Sequence, residues 1–198
     1  ITRTAVATGA ELVGYSGLSA ANYLEQPYNS GLDFGTGDFS VMGWVKADGN
    51  GYFFSRGVAG ATNTISMREL NNVLRFGVGS AEVASGDLPA NQWSHLVGLR
   101  YGGVAKTYIN GKLESSVAAA DNVTESGAVL RYGIKTADLA NSFSGSLALW
   151  RISATAPSAA QIAKIYRDEL PLFQAGAACT LYGTSDAVTA LAHDPVTD

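Results

Sequence analysis

The sequence predicts an all-β sandwich or barrel that ends in one short helix, and three observations carry this prediction. Short β-rich runs separated by Gly, Asn and Asp clusters occupy the chain from Tyr23 to about Ile152, which is the pattern of sandwiches and barrels. Glycine makes up 23 of the 198 residues, as many tight turns require. Helical periodicity first appears after Pro157. Because all-β domains reach roughly 200 to 250 residues, we expect one domain with a short appendage.

The composition excludes several classes of protein. Charged residues make up 15% of the chain and the net charge is −4, so the chain lacks the basic excess that nucleic-acid binding needs. Its single cysteine, Cys179, cannot close an internal disulfide or form a cysteine-based zinc site. No apolar run reaches the roughly 18 to 20 residues of a membrane span. The first residues lack both an initiator Met and the apolar core of a signal peptide. We therefore expect a globular piece of a longer protein that neither inserts into a membrane nor binds nucleic acid.

Two segments have the pattern of central strands. In Asp38–Lys46, apolar side chains occupy both faces, so this strand should be covered on both sides. One face carries Phe39, Val41 and Val45, and the other carries Met42 and Trp44. In Gln92–Tyr101 one face is strongly apolar and the other is mixed, which predicts a second central strand.

An Asn-Gly pair, Asn110-Gly111, lies between the β-rich flanks of Lys106–Glu114. Asn-Gly adopts the two positive φ angles of a type I′ turn, so this segment predicts a β-hairpin. The remaining strand candidates are Gly51–Arg56, Thr64–Glu69, Val73–Gly79, Ala128–Gly133 and Phe143–Ser153. The predicted turns between strands are Asp48–Gly51, Asn71–Asn72, Gly102–Gly103 and Asp121–Asn122.

Capping signals predict a helix over residues 158–169. Ser158 and Gln161 have the spacing of a capping box, and Pro171 disfavours helical geometry at the residue before it. One apolar stripe along the helix consists of Ile162, Ile165, Tyr166 and Leu170. We expect this helix to close the sandwich, so that the first domain covers residues 1–170.

The tail over residues 171–198, which could also be the start of a following domain, is too apolar for a solvated linker. Its apolar residues are Leu172, Phe173, Cys179, Leu181, Tyr182, Val188 and Leu191. Burying one Leu or Phe side chain is worth roughly 1.5 to 3 kcal/mol, so several of them in water would make the segment adhesive. We therefore expect the residues after Pro171 to pack on another chain or on the next domain, in a symmetric homo-oligomer such as a trimer.

Four segments, in this order, resemble the laminin-G-like, concanavalin A-like lectin superfamily. They are Asp38–Lys46, Asn91–Val97, Tyr108–Leu113 and Phe143–Ser153, the last of which runs into Ser158–Ile162. The resemblance covers about residues 20 to 170. It implies a jelly-roll β-sandwich of two antiparallel sheets in which the short helix packs after the final strand. Such domains most often bind glycans or proteins, and some relatives cleave polysaccharides.

A narrower resemblance is to marine bacteriophage structural proteins that carry such a domain. It depends on residues 22–39 and on Tyr166–Phe173, which leads into Cys179–Gly183. This resemblance implies a virion protein, such as a tail fibre or a similar appendage. The implied location is the virion, an extracellular particle.

The sequence departs from its relatives where some of them hold calcium. Many relatives have an acidic residue in the strand written here as Gly145–Arg151, but position 148 is Ala, with no carboxylate within two residues. Calcium takes six to eight oxygen ligands, several of them from carboxylates, so the metal site of the relatives does not carry over. We expect neither a metal nor a cofactor. An unrecognised calcium site would have to use one or more of Asp33, Asp38, Asp48 and Asp121.

The carboxylate pattern argues against catalysis. Glycoside cleavage usually needs two carboxylates about 5 to 9.5 Å apart. Glucanase relatives carry them in a Glu-x-Asp-x-Glu strand motif or in a variant one residue longer, and none of the seven glutamates here lies in one. His95 shares a strand face with Trp93 and Val97. We expect it to be a core histidine hydrogen-bonded to neighbouring backbone, and we expect no enzyme.

Polar and aromatic residues on the predicted loops are candidates for sugar binding. A pyranose needs an aromatic face for its apolar side and polar groups for its hydroxyls, usually on loops. The candidate ligand-binding residues are Asp48, Asn50, Tyr52, Asn71, Asn72 and Tyr101. In an alternative interpretation of the same residues, Asn and Asp serve turn geometry and the two tyrosines belong to the edge of the core.

The sequence therefore predicts a non-catalytic recognition module of a larger phage virion protein that binds host-surface carbohydrate. One alternative is a purely structural virion module whose partners are other virion subunits. Another is a polysaccharide-cleaving enzyme. An aromatic and Asn/Asp rim around one cleft would favour the recognition module, whereas a flat apolar rim would favour the structural one.

Overall fold

The computed structural model describes residues 1–58 and 63–177, in which two antiparallel β-sheets pack face to face. One helix, α1 (Ala159–Glu169), and two 3₁₀ turns, Ser30–Leu32 and Leu170–Phe173, accompany the strands in these ranges. The described strands are β1 (Thr2–Ala5), β2 (Val13–Ser16), β3 (Leu24–Gln26), β4 (Phe39–Ala47), β5 (Gly51–Gly57), β6 (Ile65–Leu70), β7 (Val73–Val78), β8 (Ala81–Asp87), β9 (Trp93–Tyr101), β10 (Val104–Ile109), β11 (Lys112–Ala118), β12 (Val129–Tyr132) and β13 (Gly145–Ser153). The predicted sandwich with one short helix near its end is confirmed.

The strands divide between a seven-stranded sheet and a six-stranded sheet. The seven-stranded sheet has the order β1-β2-β13-β4-β9-β10-β11, and the six-stranded sheet has the order β3-β12-β5-β6-β7-β8. Every strand pair described in them is antiparallel. Distant parts of the chain pair repeatedly, as β13 does with β4 and β12 does with β5. The chain therefore crosses between the two sheets as it does in jelly rolls.

β4 and β9 lie at the centre of the seven-stranded sheet, which confirms both central-strand predictions. β4 is flanked by β13 and β9, and all of its residues except Lys46 are buried. Its faces also divide as predicted, because Val41 and Val45 belong to the main core between the sheets. Met42 and Trp44 point to the outer side, where they join two smaller apolar clusters.

Two glycines allow large rings to lie directly against the central strands. A Cβ on Gly43 would be 2.5 Å from an indole carbon of Trp150, and a Cβ on Gly98 would be 2.5 Å from a ring carbon of Phe76. Protein cores are packed too densely to absorb such a clash without moving the ring. The core therefore requires glycine at both positions.

A bulge in β13 decides which way its indole points. The register with β4 shifts between Ala148 and Arg151. Leu149 has a φ of 52°, a conformation that costs a non-glycine residue about 1 to 3 kcal/mol. As a result Leu147 and Trp150 both contact the main core, whereas Ala148 and Leu149 contact a cluster on the outer side. In a regular strand alternate side chains point to opposite faces, so Leu147 and Trp150 would lie on different faces without the bulge.

α1 begins at its predicted cap. Ser158 Oγ accepts a hydrogen bond from the Gln161 amide at 3.3 Å, and Gln161 Oε1 accepts one from the Ser158 amide at 2.8 Å. This is the predicted capping box. The helix packs on the outer side of the seven-stranded sheet, where Ile162 is buried with Val97 and Leu99 of β9. In the described ranges no helix has the length and apolar character needed to cross a membrane.

An aromatic cluster fills the space between the seven-stranded sheet, α1 and the 3₁₀ turn after α1. The Trp44 ring stacks on Tyr166 with centroids 5.8 Å apart and on Phe173 with centroids 4.1 Å apart. Trp93 lies 4.9 Å from Phe173 by the same measure, and His95 lies 5.4 Å from Trp44. We refer to Trp44, Trp93, His95, Tyr166 and Phe173 as the covered face.

The beginning of the tail packs on its own sandwich. Phe173 is only 9% exposed and Leu172 contacts the same cluster, so the expectation that these two side chains need a partner chain is wrong. The covered face supplies the surface that the sequence analysis assigned to a partner. The Gly176 amide also donates to the Thr8 carbonyl at 2.7 Å, which ties the tail to the N-terminal segment. The predicted interface residues from Cys179 onward lie outside the described residues, and an oligomer through the tail stays a prediction.

His95 is a buried histidine, but the ring hydrogen bond that we expected for it is missing. Its main-chain amide donates to Asn110 Oδ1 at 2.9 Å. Neither ring nitrogen has a hydrogen-bond partner among residues 1–58 and 63–177. Burial, assisted by the charge of Arg151, lowers the pKa of His95 to about 4. The ring is therefore neutral at neutral pH and serves packing.

Two arginines are completely buried and hold loops against the sandwich. Arg100, on β9, donates to three main-chain carbonyl oxygens at 2.6 to 2.8 Å. These carbonyls belong to Gly35, Gly37 and Asp121. Arg56, on β5, forms an ion pair with Asp33. An unpaired buried charge is very costly. The carbonyls around Arg100 and the carboxylate of Asp33 compensate the two buried charges, and these contacts hold the loops in place.

The Asn-Gly hairpin is confirmed, since Asn110 and Gly111 have φ angles of 50° and 80° and connect β10 to β11. Four strands had no specific prediction, namely β1, β2, β3 and β8. β1 and β3 are exposed strands of four and three residues. Segments of that length show too little periodicity to be assigned from sequence.

Candidate functional site

The outer face of the six-stranded sheet carries a row of polar side chains that runs across four strands. α1 and the turn after it pack on the other sheet, which leaves this row partly open to solvent. Arg68, Arg75 and Glu82 have side chains that are 27%, 30% and 35% exposed. The row begins at Tyr52 on β5, which is opposite Arg68 on β6, and Arg68 is in turn opposite Arg75 on β7.

These four side chains form one hydrogen-bonded network, which we call the polar face. Arg68 Nη1 donates to the Tyr52 hydroxyl at 2.5 Å, and Arg68 Nη2 donates to Glu82 Oε2 at 2.7 Å. Arg75 Nη1 donates to Glu82 Oε1 at 2.7 Å. The Arg68 guanidinium also lies 5.3 Å from the centroid of the Tyr52 ring. The network holds all four side chains in fixed orientations on a rigid sheet.

The polar face retains hydrogen-bonding capacity beyond its internal bonds. A guanidinium has five N–H donors in a planar fork. The network uses two on Arg68 and one on Arg75, and the Nε–H group of each is buried, so the capacity left for a ligand lies on the Nη atoms. Each carboxylate oxygen of Glu82 has a second lone pair. The polar face can therefore both donate to and accept from a ligand that approaches it.

A small depression of about 50 Å³ adjoins the polar face beside Tyr52. Its hydroxyl-bearing lining residues are Tyr52, Ser55, Thr64, Ser66 and Thr136. Lys135, at its rim, lies 2.8 Å from Asp138, and that hydrogen bond raises the pKa of the Lys135 ammonium. The depression has room for little more than a water molecule or one ligand hydroxyl.

Four of the six residues predicted to bind a ligand meet at one end of the sandwich. Asn50 Oδ1 accepts from the Asn71 amide at 2.7 Å, and Asp48 Oδ1 accepts from Asn91 Nδ2 at 3.3 Å. Asn71 and Asn72 have φ angles of 56° and 62°, which asparagine tolerates well. Several polar groups of these loops therefore already form hydrogen bonds within the turns or between neighbouring loops.

The structure separates the other two predicted residues. Tyr52 is 7% exposed and belongs to the polar face. Tyr101 is 59% exposed and lies at the opposite end of the sandwich, because β9 runs antiparallel to β4 and pairs its start, Trp93, with Lys46 near the end of β4. The six residues do not converge on one cleft.

Three of the four members of the polar face are not among the residues that the sequence predicts to bind a ligand. Arg68, Arg75 and Glu82 lie on β6, β7 and β8. A signal was present in Ile65–Leu70, where buried Ile, Met and Glu alternate with partly exposed Ser, Arg and Leu. Such alternation predicts which residues face outward from a sheet, but not which of them meet across strands.

The described residues contain no group of three or more His, Cys, Asp or Glu side chains that could hold a metal ion. Ala148 is 3% exposed and packs with Trp44, so the position that carries a carboxylate in some relatives is apolar here. Hydrogen bonds link Asp33 to Arg56 and Asp121 to Ser80. Asp33 is held ionised despite its burial, because hydrogen bonds from Tyr28, Arg56 and the Glu125 amide together lower its pKa.

A family model of the concanavalin A-like lectin/glucanases superfamily, of the laminin G type, matches residues 18–163. The match covers β3 to β13 and the start of α1, which include the whole six-stranded sheet and five strands of the other sheet. Among curated protein sequences, none matches this chain.

Three solved structures show the same fold at low sequence identity. A SAP-like pentraxin from Limulus polyphemus is 17% identical, with a TM-score of 0.59 over 77% of this chain and 80% of its own. Domain 4 of a GH43 extracellular arabinanase from Geobacillus stearothermophilus, in complex with arabinotriose, is 23% identical, with a TM-score of 0.58 over 83% and 87%. The CBM40 of a Ruminococcus gnavus IT-sialidase, bound to α2,3-sialyllactose, is 10% identical, with a TM-score of 0.58 over 73% and 96%. Two longer proteins also match, and this chain spans 46% and 29% of them.

Proposed function

The chain belongs to the concanavalin A-like lectin/glucanases superfamily, and from this premise we propose that it binds carbohydrate, without cleaving it, through the polar face of its six-stranded sheet. One observation carries the proposal: Tyr52, Arg68, Glu82 and Arg75 form a continuous network across four strands on the outer face that α1 does not cover.

Sugars present neighbouring hydroxyl groups, each of which can donate one hydrogen bond and accept others. A guanidinium fork next to a carboxylate matches such a pair, since the guanidinium donates and the carboxylate accepts. Glu82 places both functions together by bridging Arg68 and Arg75. Because the network already holds these side chains in place, a ligand would lose less side-chain entropy on binding than it would against free arginines.

Two proteins with the same fold support a sugar ligand. The arabinanase domain was solved with arabinotriose and the CBM40 with α2,3-sialyllactose. Both are small domains that this chain covers almost completely, at 87% and 96% of their lengths. The chemistry of the polar face agrees with that ligand class.

The polar face also supports the non-catalytic half of the proposal. Glycoside hydrolases act through two carboxyl groups that flank the scissile bond, and the network contains one, Glu82. This carboxylate accepts from two guanidinium groups at 2.7 Å. The network therefore lacks the second carboxyl group that would have to share the scissile bond with Glu82.

For the biological setting we propose a larger bacteriophage virion protein, with host-surface glycan as the ligand. Residues 22–39 and the segment Tyr166–Phe173 support this setting through their likeness to marine phage structural proteins. The sequences that flank this chain in its parent protein test it: fibre repeats or other virion segments would support the proposal, and a cellular enzyme domain would contradict it.

The direct test of binding is a glycan panel followed by calorimetry with the full chain. We expect Glu82→Gln and Arg75→Ala to weaken binding of any glycan identified by about tenfold or more, since each removes a charge-assisted hydrogen bond. Glu25→Gln is a matched control, because Glu25 lies on the same sheet, has a side chain that is also 35% exposed and also pairs with an arginine, Arg131, at 2.7 Å.

The binding site and the non-catalytic role can each be overturned by a separate result. A blank panel at millimolar ligand, or equal affinity in Glu82→Gln and Glu25→Gln, would remove the polar face as the binding site. Release of new reducing ends from a polysaccharide, abolished by one Asp or Glu substitution, would overturn the non-catalytic role.

A further inference from the structure

A second cleft lies on the opposite sheet, where the β9–β10 turn meets the start of α1. Its volume is about 390 Å³, which falls within the roughly 300 to 1,000 Å³ of small-molecule sites. Its walls are formed by Tyr101, Lys106 and Tyr108 on one side and by residues 156–161 on the other, apart from Ala160. The polar face does not contribute to it.

Tyr108 contributes a hydroxyl group to the cleft. The residue is 5% exposed, and within the described parts of the chain its hydroxyl has no hydrogen-bond partner. The rest of the side chain is buried, and the hydroxyl oxygen itself is not among the fully enclosed polar atoms, so it can bond a water molecule or a ligand in the cleft. Burial raises the pKa of Tyr108, which keeps the phenol protonated and able to donate.

Lys106 contributes a positive charge to the cleft. In the described ranges the Lys106 ammonium forms no ion pair, and Nζ lies 5.9 Å from the centroid of the Tyr101 ring. None of the residues that line the cleft is acidic. Tyr101 is 59% exposed, so much of its ring remains open for stacking.

The start of α1 adds amide donors to the same wall. The capping box satisfies the amides of Ser158 and Gln161, and the first main-chain bond of the helix is donated by Ile162 to the Ser158 carbonyl. The amides of Ala159 and Ala160 therefore have no partner within the helix. Of the two residues, Ala159 lines the cleft, so its amide and the positive end of the helix dipole lie at this wall.

We propose that this cleft binds a monosaccharide ring that bears a carboxylate or sulfate group, as an anion-selective site separate from the polar face. The acidic group takes its hydrogen bonds from Lys106, Tyr108 and the free amide of Ala159. The apolar side of the ring stacks on Tyr101. A neutral sugar leaves the Lys106 charge unmatched and binds more weakly.

The test is an NMR titration of the full chain with D-glucuronic acid, D-glucose 6-sulfate, D-glucose and inorganic sulfate. We expect both acidic sugars to shift the amide signals of Ala159 and Ala160, and to bind about tenfold or more tightly than D-glucose. Raising the salt concentration from about 50 mM to about 500 mM should weaken them further, because exposed charge interactions are screened.

Two substitutions separate charge from hydrogen bonding. Lys106→Met keeps an unbranched side chain that is one atom shorter and removes the charge, and Tyr108→Phe removes only the hydroxyl. We expect each to weaken the acidic sugars by several-fold to tenfold. Lys164→Met is the control, since Lys164 is an exposed lysine on the same helix, paired with Asp168, and should leave the affinity unchanged.

Several outcomes would overturn the proposal. They are the absence of any shift at Ala159 and Ala160, equal binding of D-glucose and the acidic sugars, unchanged affinity in both Lys106→Met and Tyr108→Phe, and inorganic sulfate bound as tightly as the sulfated sugar. Equal affinity for inorganic sulfate would mean that the cleft binds an adventitious ion only and does not recognise the sugar ring. Glu82→Gln should leave these titrations unaltered, so failure of the polar face to bind sugar and failure of this cleft can be distinguished.

Discussion

The outer faces of the two sheets differ in composition, although the strands of both sheets alternate between inward and outward side chains. The covered face joins Trp44, Trp93, His95, Tyr166 and Phe173 in contacts with ring centroids 4.1 to 5.8 Å apart. The polar face joins one tyrosine, two arginines and one glutamate through charged hydrogen bonds. α1 and the turn after it bury the first face and leave the second in contact with water.

We expect the covered face to contribute most to stability and the polar face to contribute most to ligand binding. Buried aromatic pairs contribute about 0.5 to 1.5 kcal/mol each beyond the effect of burying their surface. Ion pairs between side chains as exposed as Arg75 and Glu82, at 30% and 35%, contribute about 0 to 1 kcal/mol. The covered face should therefore hold the domain together, and the polar face can change with its ligand at little cost to the fold.

The largest expected effect is at the covered face. Trp44→Ala should lower the free energy of unfolding by about 3 to 5 kcal/mol, because it opens a cavity at a completely buried position. Urea denaturation measures this loss. Trp44→Phe retains a ring but loses the bond from Nε1 to Glu169 at 2.7 Å, and its loss should be smaller. A loss below about 1 kcal/mol in Trp44→Ala would contradict the assignment of stability to this face.

The next effect concerns the pH dependence of the covered face. The pKa of His95 is about 4 in the folded chain and about 6.5 in an unfolded one. Between these pH values the unfolded chain binds a proton at this histidine and the folded chain does not. Titration of His95 therefore leaves the free energy of unfolding unchanged above about pH 6.5 and lowers it as the pH drops toward 4. The loss from this group should reach about 3 kcal/mol, measured by urea denaturation at several pH values.

His95→Leu tests this assignment, because it removes the titrating ring at similar volume. The charged and titratable groups around the ring are Arg151 on β13 with Tyr166 and Glu169 on α1. All three remain in the variant. Stability of His95→Leu should therefore vary less between pH 6.5 and 4 than that of the unsubstituted chain. An equal slope in both would show that other groups cause the acid sensitivity.

A smaller effect is expected at the polar face. Arg75→Ala should change the free energy of unfolding by no more than about 1 kcal/mol, since its ion pair is partly exposed. Thermal and urea unfolding check this, with the glycan titration measured on the same preparation. A loss above about 2 kcal/mol would mean that the polar face carries the fold as well.

The smallest expected effect is that of calcium. Unfolding midpoints with excess EDTA and with millimolar calcium should agree closely, because an ion that binds only the folded state must raise the midpoint. A clear rise with calcium would contradict the expectation of no metal site. It would direct attention to Asp33, Asp38, Asp48 and Asp121.

Local sequence signals located most of the secondary structure correctly. The Asn110-Gly111 turn and the Ser158 cap depend on residues within a few positions of each other, so tertiary contacts do not have to be known. β4 was recognisable because both of its faces are apolar along nine residues. β1 and β3 were not, because such short exposed strands have no periodic pattern.

The candidate site was predictable only in part. Tyr52 was identified as a ligand-binding candidate, but Arg68, Arg75 and Glu82 become its neighbours through the register of β5 to β8. A shift of one residue would send each of them to the other side of the sheet. Long-range pairing of this kind has no local signature, which is why the predicted cluster of loop residues missed the network.

The sequence by itself determined the fold class, the two central strands, the hairpin and the capped helix, because each depends on periodicity or on contacts between near neighbours in the chain. Only the tertiary structure decided the burial of Arg56 and Arg100, the inward turn of Trp150 at the bulge and the packing of Phe173 on Trp44. Each of these joins segments that are far apart in sequence. Their free energies depend on which surfaces meet, and the pairing of the strands chooses those surfaces.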